Sequence, residues 1–325
     1  MQNSNFKSRA GWLLKLGILS ACIVYFAYFV SFEQVFALIR VELFLAVAAV
    51  QSLFFAATCA VALRHSVLLG RDRVTFGVCL KALLLSAGIN LITFGRISEL
   101  VKLTYLRKNA GISFPTSGAA LLVERLFDLL AVSIIGLIGF TGIYLESSYV
   151  PTLMAVVGGA GLLLAKPAAV YGRHLIGDRQ GRFAGFIRET CIHIQTTLSR
   201  RNIMSVSSLT FLSWGVHFVG IWLFFFLLPD VSLSWEQASL VFGAIIFAAA
   251  MPGLPAGIGV VQAAVTLTLT SMGIDVDTAF TLSVALHIAE ILISALTAPV
   301  LLLTTSTGVG DLLSTVTKSR KQTVT

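Results

Sequence analysis

Apolar runs of near membrane-spanning length recur along this chain, and they constrain its fold more than any other feature. A helix needs about 20 apolar residues to cross the hydrocarbon core of a bilayer. The clearest runs are residues 16–30, 43–63, 118–144, 151–165, 203–228 and 279–303. With 57% hydrophobic and 12% charged residues, the chain is far less charged than soluble proteins, which have about 25% charged residues. The sequence therefore predicts an all-α polytopic membrane protein.

Basic residues are concentrated in alternate segments between the apolar runs. They precede the first run, follow the second from Arg64 onward, form a large group between residues 166 and 201, and return near the C-terminus. The segments 31–42, 144–151, 229–236 and 273–277 hold Arg40 against seven acidic residues. Because basic residues favour the cytoplasmic side, we expect both termini in the cytoplasm. The net charge of +8 then reflects membrane topology, and we expect no nucleic-acid partner.

Two further apolar runs, residues 78–94 and 238–272, are interrupted by residues that break helices. The first run ends at Gly95, and the second contains the stretch MPGLPAGIGVVQAAV at residues 251–265. A complete crossing by the first run would leave four basic residues of the following segment outside. We therefore interpret residues 78–106, in which the chain enters to about Phe94 and returns after Gly95, and residues 238–272 as re-entrant hairpins of two short helices each. The alternative is an ordinary helix kinked at its prolines.

The two hairpins give the chain an internal symmetry. Two spans, a hairpin and one span make up residues 1–146, and the same order recurs in residues 147–305. Each half has an odd number of crossings, so the second half is inverted relative to the first. Inverted repeats with broken helices are typical of transporters, which bind substrate near the breaks. We predict a single integral membrane domain with about six transmembrane helices, two re-entrant helical hairpins and a cytoplasmic tail at residues 306–325.

Ionisable residues inside the apolar segments are candidates for a substrate site, because charges at membrane depth usually face a cavity. In LLVERLFDLL, Arg125 and Asp128 are three residues apart, so a helix lets them pair. In the last span, His287 and Glu290 are expected to form a buried hydrogen-bonded pair. Pinning two helices together is the alternative role for the first pair, and a solvated interfacial helix is the alternative for GRISELVK. The candidate substrate-binding residues are Gly95, Arg96, Glu99, Lys102, Glu124, Arg125, Asp128, Pro255, Gly257, Gly259, Gln262, His287 and Glu290.

These candidates suggest a polar cavity bounded by the two helix breaks. Arg96, Lys102 and Arg125 are expected to meet a phosphate group. Glu99, Glu124 and Asp128 are expected either to hold those cations in place or to contact amine or sugar groups. The N-terminus of a short helix at each break would add a positive dipole end, which suits an anion.

Motifs for catalysis or cofactor binding are not evident in the sequence. We find no P-loop, no nucleotide fingerprint and no nucleophile motif. The four cysteines lack CxxC spacing, so neither a disulfide nor a zinc site follows. We therefore expect no enzymatic activity, no cofactor and no metal.

Residues 171–202 are expected to form a cytoplasmic loop that contains an amphipathic helix. Apolar residues recur at helical spacing among basic ones, at Phe183, Phe186, Ile187, Cys191, Ile194 and Leu198. This pattern is typical of a helix that lies on an anionic lipid surface. Docking of a protein partner is the alternative.

Four motifs, in their order, carry a resemblance to a known family. The stretches LRHSVLLG, FGRISELVK, LLVERLFDLLAV and MPGLPAGIGVVQAAV resemble the transmembrane family typified by the lipid-translocating domain of bacterial lysylphosphatidylglycerol synthase, the multiple peptide resistance factor. The resemblance extends from about Trp12 to Leu303. It implies lipid flipping, or assistance to lipid-linked glycan and hopanoid pathways, in a bacterial inner membrane. The partner would be an anionic phospholipid, a glycolipid or a polyprenyl-phosphate-linked lipid.

The candidate residues map onto the motifs of this family, with two departures. Gln262 stands where the family pattern usually has glutamate, and His287 where it usually has arginine. The resemblance therefore implies that a charged pair has become a neutral hydrogen-bonded pair, and that the headgroup differs. About 20 residues follow the last predicted span, so we expect no aminoacyl-transferase domain.

Lipid flipping or lipid binding is thus the function that the sequence predicts, and two alternatives remain. The protein could be a non-transporting scaffold that recruits a lipid- or glycan-modifying enzyme. It could also be a prenyl-lipid-dependent transferase, which would need acidic residues able to bind a divalent metal at an interface. An oligomer is possible in each case.

Overall fold

The computed structural model describes residues 41–304, apart from residues 92, 94–96, 144–148, 178, 229–230 and 251–254. Regular structure within this part of the chain is helical throughout, which confirms the prediction of an all-α polytopic membrane protein. The predicted first span, the predicted C-terminal tail, Gly95 and Arg96 lie outside the described residues. The helices are α1 (Val41–Leu69), α2 (Phe76–Asn90), α3 (Ile97–Ala110), α4 (Phe114–Ile143), α5 (Tyr149–Ile176), α6 (Arg182–Thr197), α7 (Arg200–Phe226), α8 (Trp235–Ala250), α9 (Val260–Ser271) and α10 (Val276–Thr304).

Four segments in the described part are long and apolar enough to cross a membrane. They are Val41–Leu69, Pro151–Ile176, Arg200–Phe226 and Val276–Leu301, and each overlaps one of the runs predicted from the sequence. Helix α4 has 30 residues, about 45 Å at 1.5 Å per residue, so it is also long enough. Its central part carries three charged residues, Glu124, Arg125 and Asp128. Helix α5 continues to Ile176, so residues 171–176 are helical rather than part of the predicted loop.

Two pairs of short helices lie in the regions where the two hairpins were predicted. Helices α2 and α3 have 15 and 14 residues, and helices α8 and α9 have 16 and 12. At about 18–24 Å, each is shorter than the hydrocarbon core of about 30 Å. The two members of each pair pack against each other. This geometry is what the hairpin interpretation expects of the two runs.

The backbone before α9 adopts conformations that a continuous helix excludes. A single 3-10 turn at Pro255–Gly257 precedes the helix, and Ala256 within it has a φ of 57°. Gly257 and Gly259 have φ values of 77° and 85°, in the left-handed region that glycine enters without a steric penalty. The glycines of this stretch therefore permit the chain to reverse direction before α9 begins.

The structure has two apolar cores, which follow one another along the length of three shared helices. One core joins the N-terminal half of α1 to α7, α8, α9 and α10. The other joins the C-terminal end of α1 to α2, α3, α5 and α6. Helices α1, α4 and α7 contribute to both cores. Along α4 and α7, the buried polar residues Asp128 and Thr210 lie between the two cores, so the junction of the cores is where polar side chains collect.

Helix α6 packs against α4 and α5 with only part of its apolar stripe. Cys191, Ile194 and Leu198 are buried in the second core, whereas Phe183 and Phe186 are 77% and 47% exposed. The amphipathic helix predicted in this region is present, but its stripe is divided. The C-terminal half of the stripe packs on protein, and the N-terminal half faces outward.

Hydrogen bonds also hold α6 to the ends of two other helices. The Glu189 carboxylate accepts hydrogen bonds from the hydroxyls of Ser113 and Thr116 at the start of α4. The Thr197 hydroxyl donates to the Leu68 carbonyl near the end of α1, at 3.3 Å. Helix α6 is therefore hydrogen-bonded to both α1 and α4 in addition to its packing in the second core.

Candidate functional site

Arg64 is the centre of a buried group of charges at the junction of the two cores. Its side chain is 1% exposed, and its guanidinium reaches both acidic residues on the inner face of α4. Nη1 lies 2.5 Å from Asp128 Oδ1, and Nη2 lies 2.9 Å from Glu124 Oε1. Because Glu124 and Asp128 are four residues apart, a helix places them one turn apart on the same face. One arginine can therefore bridge both carboxylates.

Glu124 also contacts the other two basic side chains at this junction. Its Oε2 is 2.8 Å from His65 Nδ1 and 4.0 Å from Lys102 Nζ. Helix α1 supplies His65, and α3, the second helix of the first short pair, supplies Lys102. With Glu124 ionised, the His65 Nδ1–H donates to it, which leaves Nε2 as a buried atom without a described partner.

Helix α7 completes the site with two polar side chains one turn apart. The Trp214 indole Nε1–H donates to Asp128 Oδ1 at 2.7 Å, and the Thr210 hydroxyl accepts from Arg64 Nη1 at 3.1 Å. Four helices, α1, α3, α4 and α7, thus meet at this group. We call it the charged cluster, and it consists of Arg64, His65, Lys102, Glu124, Asp128, Thr210 and Trp214.

Arg125 lies at the edge of the charged cluster, on the side where its side chains are exposed at the protein surface. Its side chain is 48% exposed, and its Nη2 is 3.0 Å from Glu99 Oε1. The contact that the sequence predicted between Arg125 and Asp128 is longer, 3.6 Å from Nη1 to Oδ2. Arg64 provides the shorter ion pair to Asp128, because it approaches from α1 across the helix interface. The predicted pairing of Arg125 with Asp128 is therefore present, as the longer of the two ion pairs that Asp128 makes.

A second polar group lies at the break before α9. The backbone N–H of Gly259 donates to Gln262 Oε1 at 2.7 Å, so the amide nitrogen of Gln262 faces His287 Nδ1, also at 2.7 Å. The amide donates in this contact, which makes Nδ1 the acceptor. The proton of His287 is then on Nε2, which lies 3.1 Å from the Ala256 carbonyl. The neutral hydrogen-bonded pair predicted for Gln262 and His287 is present, and it fixes the broken backbone.

Glu290 pairs with a residue that the sequence analysis did not select. Its Oε1 is 3.1 Å from Nε2 of His217 on α7. The predicted hydrogen bond between His287 and Glu290 is wrong, because the ring of His287 is already held by Gln262 and Ala256. In the described part of the chain, three or more acidic, histidine or cysteine side chains do not come together in a metal-binding arrangement.

Comparison with known protein families identifies the family of this chain. The model of the lysylphosphatidylglycerol synthase TM region matches residues 12–298, which is most of the chain. This chain belongs to that family. No curated protein and no solved structure matches the sequence of this chain.

In this member of the lysylphosphatidylglycerol synthase transmembrane family, the predicted site residues fall into two groups. Glu99, Lys102, Glu124, Arg125 and Asp128 come together at the charged cluster. The second group is at the break before α9 and in α10, and it comprises Pro255, Gly257, Gly259, Gln262, His287 and Glu290.

Three ionisable residues that the sequence analysis did not select take part in these groups. Arg64 and His65 are at the end of an apolar run, so Arg64 was counted with the solvated basic residues that follow it. His217 is a single histidine within an apolar span. Ionisable residues inside spans are uncommon and usually functional, and this was the signal that could have identified it.

Proposed function

We propose that this protein translocates a lipid with an anionic headgroup across the membrane, and that the headgroup binds beside the charged cluster. The observation that carries this proposal is a set of buried ionisable side chains within a membrane-spanning bundle. Glu124 and Asp128 lie 10 and 14 residues into α4, about 15 and 21 Å from its start. Charges at such depth are costly and are found where they serve a substrate or ion pathway.

The exposed edge of the charged cluster supports headgroup binding there. Arg125 is half exposed and is held by Glu99, which is itself 22% exposed. Guanidinium groups bind phosphate through two parallel hydrogen bonds, so a phosphate can replace the Glu99 carboxylate on Arg125. The ammonium of Lys102 lies behind this edge as a second cation. The acyl or prenyl chains would remain in the surrounding lipid.

The short helix pairs support a transporter-like arrangement for this site. We propose that α2 with α3 and α8 with α9 enter the bilayer from opposite sides as re-entrant hairpins, within an inverted-topology repeat. Irregular backbone is tolerated at membrane depth only where protein or a water-filled cavity surrounds it. The distribution of basic residues supports a bacterial inner-membrane location with both termini in the cytoplasm. In this proposal the protein transports lipid and catalyses no chemical reaction.

Replacing Arg125 by alanine tests the proposed function directly. The purified protein is reconstituted in liposomes that contain fluorescent phosphatidylglycerol, and dithionite quenching measures headgroup translocation. We expect Arg125→Ala to lower the rate at least about tenfold, because charge-assisted hydrogen bonds are worth about 1.5–3 kcal/mol. Its half-exposed ion pair contributes less than about 1 kcal/mol to stability, so the variant should still fold.

Arg201→Ala is the matched control for this experiment, because it removes an exposed arginine at the start of α7. It should leave the translocation rate unchanged. A correctly folded Arg125→Ala protein that translocates as fast as the unsubstituted protein would rule out headgroup binding at Arg125. Absence of translocation by the unsubstituted protein would rule out the transport function itself.

A scaffold function has support from one observation, the exposed apolar half of α6. Phe183 and Phe186 face outward beside Arg182, and such a face can dock on a membrane-bound enzyme or on anionic lipid. The Phe183→Ser, Phe186→Ser double variant separates the two functions. If the protein is a transporter, this variant should translocate lipid within about twofold of the normal rate, since both side chains are exposed and the described hydrogen bonds and ion pairs of α6 do not reach the charged cluster.

The scaffold function makes the opposite expectations for the same set of variants. A lipid-modifying enzyme would co-purify with the unsubstituted protein and with Arg125→Ala, but not with the α6 double variant. The purified protein alone would then show no translocation. Translocation by the purified protein, with no enzyme lost from the α6 variant, would exclude the scaffold function.

A further inference from the structure

His217 and Glu290 form an ionisable pair near the middle of two candidate spans. Glu290 is 14 residues from each end of α10, about 21 Å, and His217 is 17 residues from the start of α7. Their side chains are 23% and 14% exposed. Because polar groups at this depth rarely face lipid, we expect the exposed part of the pair to face the interior of the helix bundle.

The surroundings of this pair are mostly aromatic. Phe54 of α1 stacks on the His217 ring, with 4.8 Å between the ring centroids. The rings of Trp214 of α7 and Phe242 of α8 meet the His217 ring edge to face, at centroid distances of 6.0 and 6.2 Å. The titratable and charged groups nearby are His287, one turn before Glu290 on α10, and Asp128 of α4, which is reached through Trp214. Among the described ion pairs, Glu290 has His217 as its partner and no lysine or arginine.

The pair differs from the charged cluster in how its charge can change. Arg64 cannot lose its proton in a protein, so the cluster has a fixed cation between its carboxylates. His217 and Glu290 hold one proton between them when the pair is neutral. Loss of this proton leaves a buried carboxylate with no cation, and gain of a second leaves a buried imidazolium with no anion. Each proton taken up or released therefore changes the net charge of the pair by one unit.

One face of α7 connects the pair to the charged cluster. Thr210, Trp214 and His217 are at positions i, i+4 and i+7, which share a helix face. Trp214 donates to Asp128 through its indole nitrogen, and its ring contacts His217. On the opposite side, Glu290 is one turn from His287, which holds the broken backbone before α9. The pair thus lies between the proposed headgroup site and the second helix break.

We propose that His217 and Glu290 form a proton-binding site that couples lipid translocation to a proton gradient. This inference rests on the proposed transport function. A proton enters from one side of the membrane, is shared between His217 Nε2 and the Glu290 carboxylate, and leaves to the other side. Movement of one proton with one singly charged phosphate headgroup transfers no net charge. The occupied pair is neutral, which lowers the cost of enclosing it when water is excluded.

The test measures the steady-state distribution of fluorescent phosphatidylglycerol between the two leaflets of proteoliposomes. A pH difference of one unit is applied, and the membrane potential is held at zero with potassium and valinomycin. With one proton per lipid, this gradient supports up to a tenfold concentration difference between leaflets. We expect an asymmetry approaching that value, which an uncoupler abolishes. In His217→Gln and Glu290→Gln the leaflet ratio should stay near that of the uncoupled sample.

Glu236→Gln is the matched control, because Glu236 is a partly exposed carboxylate in the first turn of α8, outside the His217–Glu290 pair. It should keep the asymmetry of the unsubstituted protein. Translocation by the unsubstituted protein with equal leaflets under the gradient would overturn proton coupling and leave the transport function standing. No translocation at any pH would instead overturn the transport function, and proton coupling with it. Retained asymmetry in both pair variants would exclude His217 and Glu290 as the proton site.

A second measurement does not depend on the folding of either variant. Unsubstituted protein is reconstituted with a pH-sensitive dye inside the vesicles, and phosphatidylglycerol is added to the outer leaflet. Coupled movement should shift the internal pH as the lipid equilibrates, whereas a neutral diacylglycerol should produce no shift. Lipid equilibration without a change in internal pH would overturn the proposal.

Discussion

Replacing Arg64 by methionine is expected to lower the free energy of unfolding by about 3–5 kcal/mol, the usual cost of removing one partner from a buried ion pair. Arg64 is 1% exposed and bridges Glu124 and Asp128. The methionine fills much of the same volume, so the loss comes mainly from the two carboxylates, each of which loses its closest arginine and keeps only a longer cation contact, to Lys102 or Arg125. Thermal unfolding of the detergent-solubilised protein, followed by tryptophan fluorescence, measures the change.

Neutralising one carboxylate provides the control for this prediction. The double variant Arg64→Met, Asp128→Asn removes one charge of each sign and keeps Glu124 beside Lys102, so it should recover most of the lost stability, since a buried ion pair can often be replaced at little cost. Arg201→Met, at an exposed position, should have no effect. If Arg64→Met alone leaves the unfolding temperature unchanged, the cluster does not hold the helices together in the way its geometry indicates.

Replacing Gly88 by alanine is expected to destabilise the contact between α2 and α10. A methyl group on Gly88 would overlap the Cβ of Ala298 and lie 3.4 Å from its Cα. Neither atom belongs to a flexible side chain, so the two helices would have to move apart. Overpacking of this kind costs about 1–3 kcal/mol and occasionally more, and we expect the upper part of that range. Thermal unfolding again provides the measurement.

The same helix supplies a control for the glycine substitution. Gly77 in α2 has no atom within 4 Å of the position that a Cβ would take, so Gly77→Ala should leave stability unchanged or slightly raised. The double variant Gly88→Ala, Ala298→Gly exchanges the methyl group across the interface and should restore much of the loss. A neutral Gly88→Ala, or a double variant no better than the single, would show that α2 and α10 do not approach this closely.

The helical elements could be predicted from the sequence because they depend on local properties. Apolar run length identified the spans, and the helix breakers identified the turn at Pro255–Gly257 that separates α8 from α9. The boundaries were less accurate. Helix α1 continues six residues beyond the predicted run to Leu69, because Arg64, His65 and Ser66 are buried against other helices. A sequence shows the polarity of these residues but not the partners that compensate for it.

The members of the candidate site could be predicted in part, but their pairing could not. Glu124 and Asp128 are conspicuous as acids within an apolar helix, yet their cation comes from Arg64, 60 and 64 positions earlier in the chain. Local spacing favoured Arg125 for Asp128 and His287 for Glu290. In both cases a residue from another helix is the closer partner, because helix packing brings α1 to α4 and α7 to α10.

Helix α6 and the Arg64–Glu124 ion pair connect the same two helices at different levels. Thr197 is bonded to Leu68 near the end of α1, and Glu189 to Ser113 and Thr116 at the start of α4. A displacement that separates α1 from α4 must therefore either carry α6 along or break its bonds. Position 183 is exposed on α6, so a spin label there would report movement of α6 relative to the bundle. It would thus detect a rearrangement that begins around the buried Arg64 side chain.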